Sequence, residues 1–150
     1  MMDWPLKRSR ARAVALQLLF QRDHNTAIER AALENFAAER LHPLQDPEIL
    51  SFCLGLYDGV ISHLEDIDRR LGEAAENWRL SRMAAVDRNV LRLGSYELLF
   101  VPGTPPGVAI DEAIELARRF GSADSPGFVN GVLDRLRQQQ QQPQPAPPSP

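Results

Sequence analysis

Four cations fall within six residues at the front of this chain: Lys7, Arg8, Arg10 and Arg12. They open the first segment with helical periodicity, where positive charge opposes the helix dipole and the neighbours repel one another. A segment optimised only for stability would carry Asp or Glu there. Such a cluster points to an external anion, with RNA or DNA as the obvious one. The bland alternative is a frayed, solvated terminus. Of the 17 cations in the chain, 16 are Arg. Arg forks onto phosphate better than Lys does, although codon bias in a GC-rich genome produces the same excess. Four phosphate contacts imply a log–log salt slope of roughly −3 to −4. Sequence specificity would need base edges or stacking on exposed aromatics as well.

A second candidate anion site lies between Gly121 and Asn130. A helix N-terminus there offers free N–H groups, and Phe128 in its first turn either stacks on a base or faces the core. Other chemistry is sparse. Asp111, Glu112 and Glu115 share one helix, and Glu112 and Glu115 at i, i+3 are spaced for acid–base work, but no second group converges on them. Asp111 and Glu112 also fit a first-turn role against the helix dipole. His24, His42 and His63 have no metal-ligand spacing, and the lone Cys53 sits on an apolar stripe. No phosphate-cradling glycine motif is present. No catalytic, cofactor-binding or metal-binding residue is assigned, and no cofactor is expected.

The elements that must carry these residues read as helices almost throughout. Helix one is expected from about Arg8 to Arg22, with Ala11, Val14, Ala15, Leu18 and Leu19 on one face and Leu16 and Phe20 on a second. Helix two starts at a Thr26–Glu29 capping box. Helix three starts at Asp46 with Pro47 in its first turn. A short helix near Ile67–Ala75 precedes an Asn77-Trp78 corner, and Met83–Phe100 follows. Val108–Phe120 ends at Gly121 as a left-handed stop. A last helix starts at Asp124 or Ser125, with Pro126 in its first turn. The expected fold is an all-α bundle of about seven helices. Residues 1–137 are read as one domain and 138–150 as a disordered Gln/Pro-rich tail.

At 150 residues the chain fits one domain, and its single cysteine excludes an internal disulfide. No stretch is apolar enough for a membrane span, so no membrane partner is expected. The absence of an apolar signal core makes the cytoplasm the expected compartment. The net charge is −3, yet residues 1–12 stand at +3, which leaves −6 on the rest. A basic end on an acidic body can hold a polyanion in one place.

Several motifs then become recognisable. Arg8-Ser9-Arg10-Ala11-Arg12 and Ala15-Leu16-Gln17-Leu18-Leu19-Phe20 resemble the opening of the NusB family of transcription antitermination factors. The resemblance continues through Asn77-Trp78, Asp87-Arg88-Asn89-Val90-Leu91-Arg92-Leu93-Gly94-Ser95-Tyr96-Glu97-Leu98, Ile110 to Ala117 and Phe128-Val129-Asn130-Gly131-Val132-Leu133. It covers roughly residues 7 to 137. It implies two packed helical subdomains and a non-enzymatic protein. Such a protein pairs with NusE (small-subunit ribosomal protein S10), and the pair binds boxA RNA of ribosomal RNA transcripts. The assembly then modifies the RNA polymerase antitermination complex to suppress termination. By position, Lys7, Arg8, Arg10, Arg12, Asp124 and Phe128 would contact RNA, and Phe20 and Asp87 would face NusE. The chain departs from the family at Pro126-Gly127, where members often carry His-Lys. Alternative readings are a noncatalytic RNA-binding domain assisting ribosomal RNA maturation or modification, and a self-associating helical module that forms a homodimer. The absence of a nucleotide-binding segment after residue 137 argues against a complete RNA methyltransferase.

Overall fold

The computed structural model describes residues 6–76 and 78–141. Their regular structure is helical throughout: α1 (Lys7–His24), α2 (Arg30–Leu41), α3 (Pro47–Ser62), α4 (Leu64–Ala74), α5 (Ala85–Phe100), α6 (Pro106–Phe120) and α7 (Ser125–Gln141). Single 3-10 turns at His42–Leu44 and Leu80–Arg82 precede α3 and α5. Helices α1, α2 and α3 pack on one another, α4 to α7 form a second group, and α1 and α3 lie against α5. The expected two-subdomain all-α bundle is therefore the observed one.

Helix α1 is the central strut. Its expected apolar stripe is buried, but so are Ser9, Arg12, Ala13 and Leu16, so every residue from 11 to 16 is inside. Alanine at 11, 13 and 15 leaves room for neighbouring helices on several sides at once. A helix apolar nearly all round is one that is buried all round.

Local signals held at some helix ends and failed at others. Asp46 caps α3 as expected, its side chain accepting the Glu48 N–H at 3.1 Å. The Thr26–Glu29 capping box does not form. Asn25 Oδ1 instead captures the Ala27 N–H at 3.1 Å, and the resulting turn delays α2 to Arg30, with Glu29 as an N-cap lacking a side-chain bond. Gly121 is not left-handed, since its φ is −98° and ψ −166°. Glycine is needed there for proximity, because a Cβ would meet Ser125 Oγ at 2.5 Å and the Ala117 carbonyl oxygen at 2.8 Å. Asp111 and Glu112 lie beyond the first turn of α6, which begins at Pro106 and holds no acid. Helix α7 runs to Gln141, so the first four glutamines assigned to the tail are helical. Glutamine is a good helix former and extends an existing helix at little cost. The rest of the expected tail, 142–150, lies outside the described residues, as does Asn77.

Helices α3 and α4 meet at His63. Its Nδ1 sits 2.9 Å from the Gly59 carbonyl oxygen, which can only accept, so Nδ1 carries the proton. The His63 ring lies 4.1 Å from Phe100 and 5.8 Å from Tyr96. Tyr96 in turn presses on α3, where a Cβ added at Gly59 would stand 2.0 Å from its Cζ. Gly55, one turn earlier on the same helix, has nothing within 4 Å. Both positions gain about 1 kcal/mol of helix propensity from Gly→Ala, but only Gly59 must displace a held aromatic ring. Gly59→Ala is therefore expected to be less stable than Gly55→Ala by about 1–3 kcal/mol, measured by urea unfolding of the two variants side by side.

Candidate nucleic-acid interface

The start of α1 is built for charge exposure. Its N-cap is Leu6, with no side-chain cap bond and no acid in the first turn. Lys7 and Arg8 are exposed and Arg10 is half-buried. Helix α3 orients two of them. Lys7 Nζ reaches Asp46 Oδ2 at 3.2 Å, and that hydrogen bond, more than any other influence, holds the Asp46 carboxyl below its ordinary range. The Arg8 guanidinium lies over the Phe52 ring, 4.7 Å from its centroid. Arg10 has no ion-pair or hydrogen-bond partner for its side chain among the described residues.

Arg12 requires a correction. It is only 3% exposed, and its Nε and Nη2 donate to Glu97 Oε1 and Oε2 at 2.6 and 2.9 Å. Its Nη1 stands 3.3 Å from Glu112 Oε1. Residue 12 faces α5 and α6 from the buried middle of α1, where an unpaired cation would be very costly. It is a structural ion pair rather than an RNA contact. The available cations are three, and the single-strand salt slope they imply falls to about −2.

The other predicted RNA residues lie at the start of α7. Ser125 is buried and its Oγ accepts the Ser122 N–H at 3.0 Å, while the Phe128 N–H donates to the Asp124 carbonyl oxygen at 3.2 Å. Asp124 is exposed and Phe128 half-buried. Phe128 meets Trp78 edge-on, with centroids 5.8 Å apart at 71°. Together with Arg82, Met83, Ala84, Asp87 and Asp124 they line a cleft of about 240 Å³. Asp87, expected with Phe20 on a partner-facing surface, also lines this cleft beside two predicted RNA residues. Phe20 packs against the core from α1 and is not among the cleft's lining residues.

The cleft wall is pinned from behind. Arg88 Nη1 donates to the Leu80 and Met83 carbonyl oxygens at 3.2 and 3.3 Å, and its Nη2 to Asp23 Oδ2 at 3.2 Å. Asn89 Nδ2 donates to the same Asp23 oxygen at 2.8 Å, and Arg92 bridges Asp23 and Asp68. Burial alone raises the Asp23 carboxyl, but hydrogen bonds from Asn89 and Arg88 and the charges of Arg92 and Arg88 outweigh it, leaving it below the ordinary value.

Sequence reasoning missed Trp78 and Arg82 as lining residues. The Asn77-Trp78 pair was visible, but nothing local showed that it would meet α7. Asp46 was read only as the start of helix three, and Phe52 was not singled out. Two of the three acids on α6 singled out in the sequence are already engaged. Glu112 accepts from Ser9 Oγ at 2.7 Å, and Glu115 pairs with Arg118 and Arg119. Burial raises Glu115, but those two arginines outweigh it and keep the carboxyl low, the wrong direction for a general acid. Burial pushes the Cys53 thiol up to about 12, which leaves it unreactive.

Fold and site together define an all-helical protein with a cationic helix edge and an aromatic cleft. The chain belongs to the NusB family, whose family model matches residues 9–138. It is 44% identical over 130 residues to the transcription antitermination protein NusB of Myxococcus xanthus, covering 86% of this chain and 93% of that protein. The solved structure of T. maritima NusB superimposes with a TM-score of 0.78 at 39% identity, covering 91% and 93% of the two chains. A chain in the crystal structure of the antitermination factors NusB and NusE in complex with dsRNA gives a TM-score of 0.78 at 25% identity, covering 93% and 99%. No helix of the described residues is long and apolar enough to cross a membrane.

Two outcomes follow for the ion pairs. Arg12→Met leaves Glu97 buried without its cation and should lower unfolding free energy by about 3–5 kcal/mol, read from chemical denaturation at neutral pH. For Asp23, a lowered folded pKa means stability that is complete above the ordinary carboxylate value and lost as pH falls through the folded value. Asp23→Asn should therefore be less stable than the parent chain at pH 7, and the gap between their melting temperatures should close as pH drops below about 4.

Proposed function

We propose that this chain is a noncatalytic RNA-binding adaptor of transcription antitermination. In this reading the edge formed by Lys7, Arg8 and Arg10 grips phosphates of boxA RNA, and the Trp78–Phe128 cleft lies on the path of the strand. NusE (ribosomal protein S10) docks on a helical face that includes Phe20 and Asp87. The assembly acts on RNA polymerase in the cytoplasm to suppress termination on ribosomal RNA operons.

The observation that carries the reading is the uncapped, acid-free start of α1, which sets two exposed cations and a half-buried third side by side. Such an arrangement weakens the isolated helix and suits a bound anion. Support comes also from the relatives, which are named as antitermination proteins, and from the solved neighbour titled as a complex of NusB, NusE and dsRNA. The acidic remainder of the chain would repel a strand that left the basic edge, which favours one binding track over general coating.

The test is a titration of labelled boxA RNA at two or more salt concentrations, with and without NusE. Changing Arg8 and Arg10 together to Ala should weaken binding and reduce the magnitude of the salt slope by about 1 to 2. Phe52→Leu removes only the ring that orients Arg8, so affinity should fall by about 2- to 5-fold with the slope unchanged. Binding that ignores both changes would remove the basic edge from the proposal.

A further inference from the structure

We propose that the groove between the start of α1 and the first half of α6 is a docking surface for a basic, amphipathic protein helix. Apolar side chains of that helix enter between Leu6 and Val108, and its lysines or arginines meet Asp111. The surface is separate from the proposed RNA track and from the proposed NusE face, and it stands whether or not RNA binds.

The groove encloses about 520 Å³, bounded by Leu6 and Ser9 on α1 and by Val108, Asp111, Glu112 and Glu115 on α6. Leu6 is 61% exposed and Val108 42%. With Trp78 they are the large apolar side chains that the described residues leave most in water. A single exposed apolar residue needs no explanation, but two that flank one groove form a patch. The floor is polar and already satisfied. Ser9 Oγ donates to Glu112 Oε1 at 2.7 Å, and Arg12 Nη1 stands 3.3 Å from the same oxygen. The α6 wall is fixed at its start by Pro106 in the first turn and by the 3.2 Å bond from Thr104 Oγ1 to Glu97 Oε2. A groove formed in advance costs little to fill.

The acids decide what fills it. Residues 108, 111, 112 and 115 recur at i, i+3, i+4 and i+7, so one face of α6 carries an apolar side chain followed by three carboxylates. Glu112 is held by Arg12 and Ser9, and Glu115 by Arg118 and Arg119. Asp111 is exposed and has no hydrogen-bond or ion-pair partner among the described residues. It also lies past the first turn of α6, which holds no acid, so it gains little from the helix dipole. Its charge serves nothing inside the molecule and is available to an external cation. The same carboxylates repel phosphate, so a strand held on the basic edge leaves the groove open. Apolar walls and a free acid between two helices fit a third helix with apolar anchors at i and i+3 or i+4 and Lys or Arg beside them. A contact this small is a weak, transient one.

The probe is a set of dye-labelled peptides of about 12 to 15 residues, long enough to form a helix, with paired Leu, Ile, Met or Phe anchors flanked by Lys or Arg. Fluorescence anisotropy measures their binding to the full chain, and amide chemical shifts locate it. The expected Kd is about 10–100 μM, with the largest shifts at Leu6, Ser9, Val108 and Asp111. Val108→Ser should weaken binding about 5-fold or more. Asp111→Asn should weaken it about 2- to 3-fold and reduce its salt dependence. Both positions are exposed, and circular dichroism checks that the fold is kept. Peptides with Ser for the anchors or Glu for the cations should not bind. Absence of binding across the set, shifts centred elsewhere, or affinity indifferent to both substitutions overturns the proposal. The same shifts produced by raising the protein concentration alone assign the groove to a second copy of this chain. Peptides that bind only after residues 1–5 are deleted assign it to that segment, and full displacement by NusE merges it with the NusE contact. Each of these three results also overturns the proposal, and none of them bears on RNA binding.

Discussion

The buried contact between Arg12 and Glu97 is the interaction on which the rest of the molecule depends. It joins the centre of α1 to α5 through two parallel N–H···O bonds, and Glu112 brings α6 to the same guanidinium. Thr104 Oγ1 adds a 3.2 Å bond to Glu97 Oε2 and so ties down the link between α5 and α6. Ser9 satisfies Glu112. Buried ions are tolerated only when their hydrogen-bonding capacity is used, and here each member has more than one partner. The network joins the α1–α3 group to the α4–α7 group, where an apolar contact of equal size would permit sliding.

That constraint also decides what the front of α1 can do. With the middle of the helix locked in the core, its first turn must project from a fixed direction. Lys7, Arg8 and Arg10 are thereby displayed on one rim rather than on a loose terminus. Asp46 and Phe52 of α3 limit where the first two can point. In the proposed RNA complex Lys7 would give up Asp46, at least in part, to reach a phosphate. The Phe52 face leaves the N–H groups of Arg8 free for a ligand while restricting its motion.

The aromatic cleft has a different origin. It forms where the turn before α5 meets the start of α7, two segments far apart in the chain. The Asp23–Arg88–Asn89–Arg92 cluster fastens that turn to α1 and α5. The charged rim and the cleft are thus both braced on α1, one at its first turn and the other near its last.

Much of the fold was legible because helices declare themselves locally. The stripes on α1 and the Asp46-Pro47 start of α3 depend on residues within a few positions of each other, as do the spacing and charge of Lys7, Arg8, Arg10 and Arg12. Which of those cations meets water was not local information. Arg12 has the same chemistry and spacing as its neighbours, and only carboxylates from α5 and α6 drew it inside. Trp78 and Phe128 became two walls of one cleft, and Phe52 a support for Arg8, through contacts between separate helices. Periodicity reports which face of a helix is apolar, but the element packed against that face is set by the whole bundle minimising exposed apolar surface and unpaired buried charge.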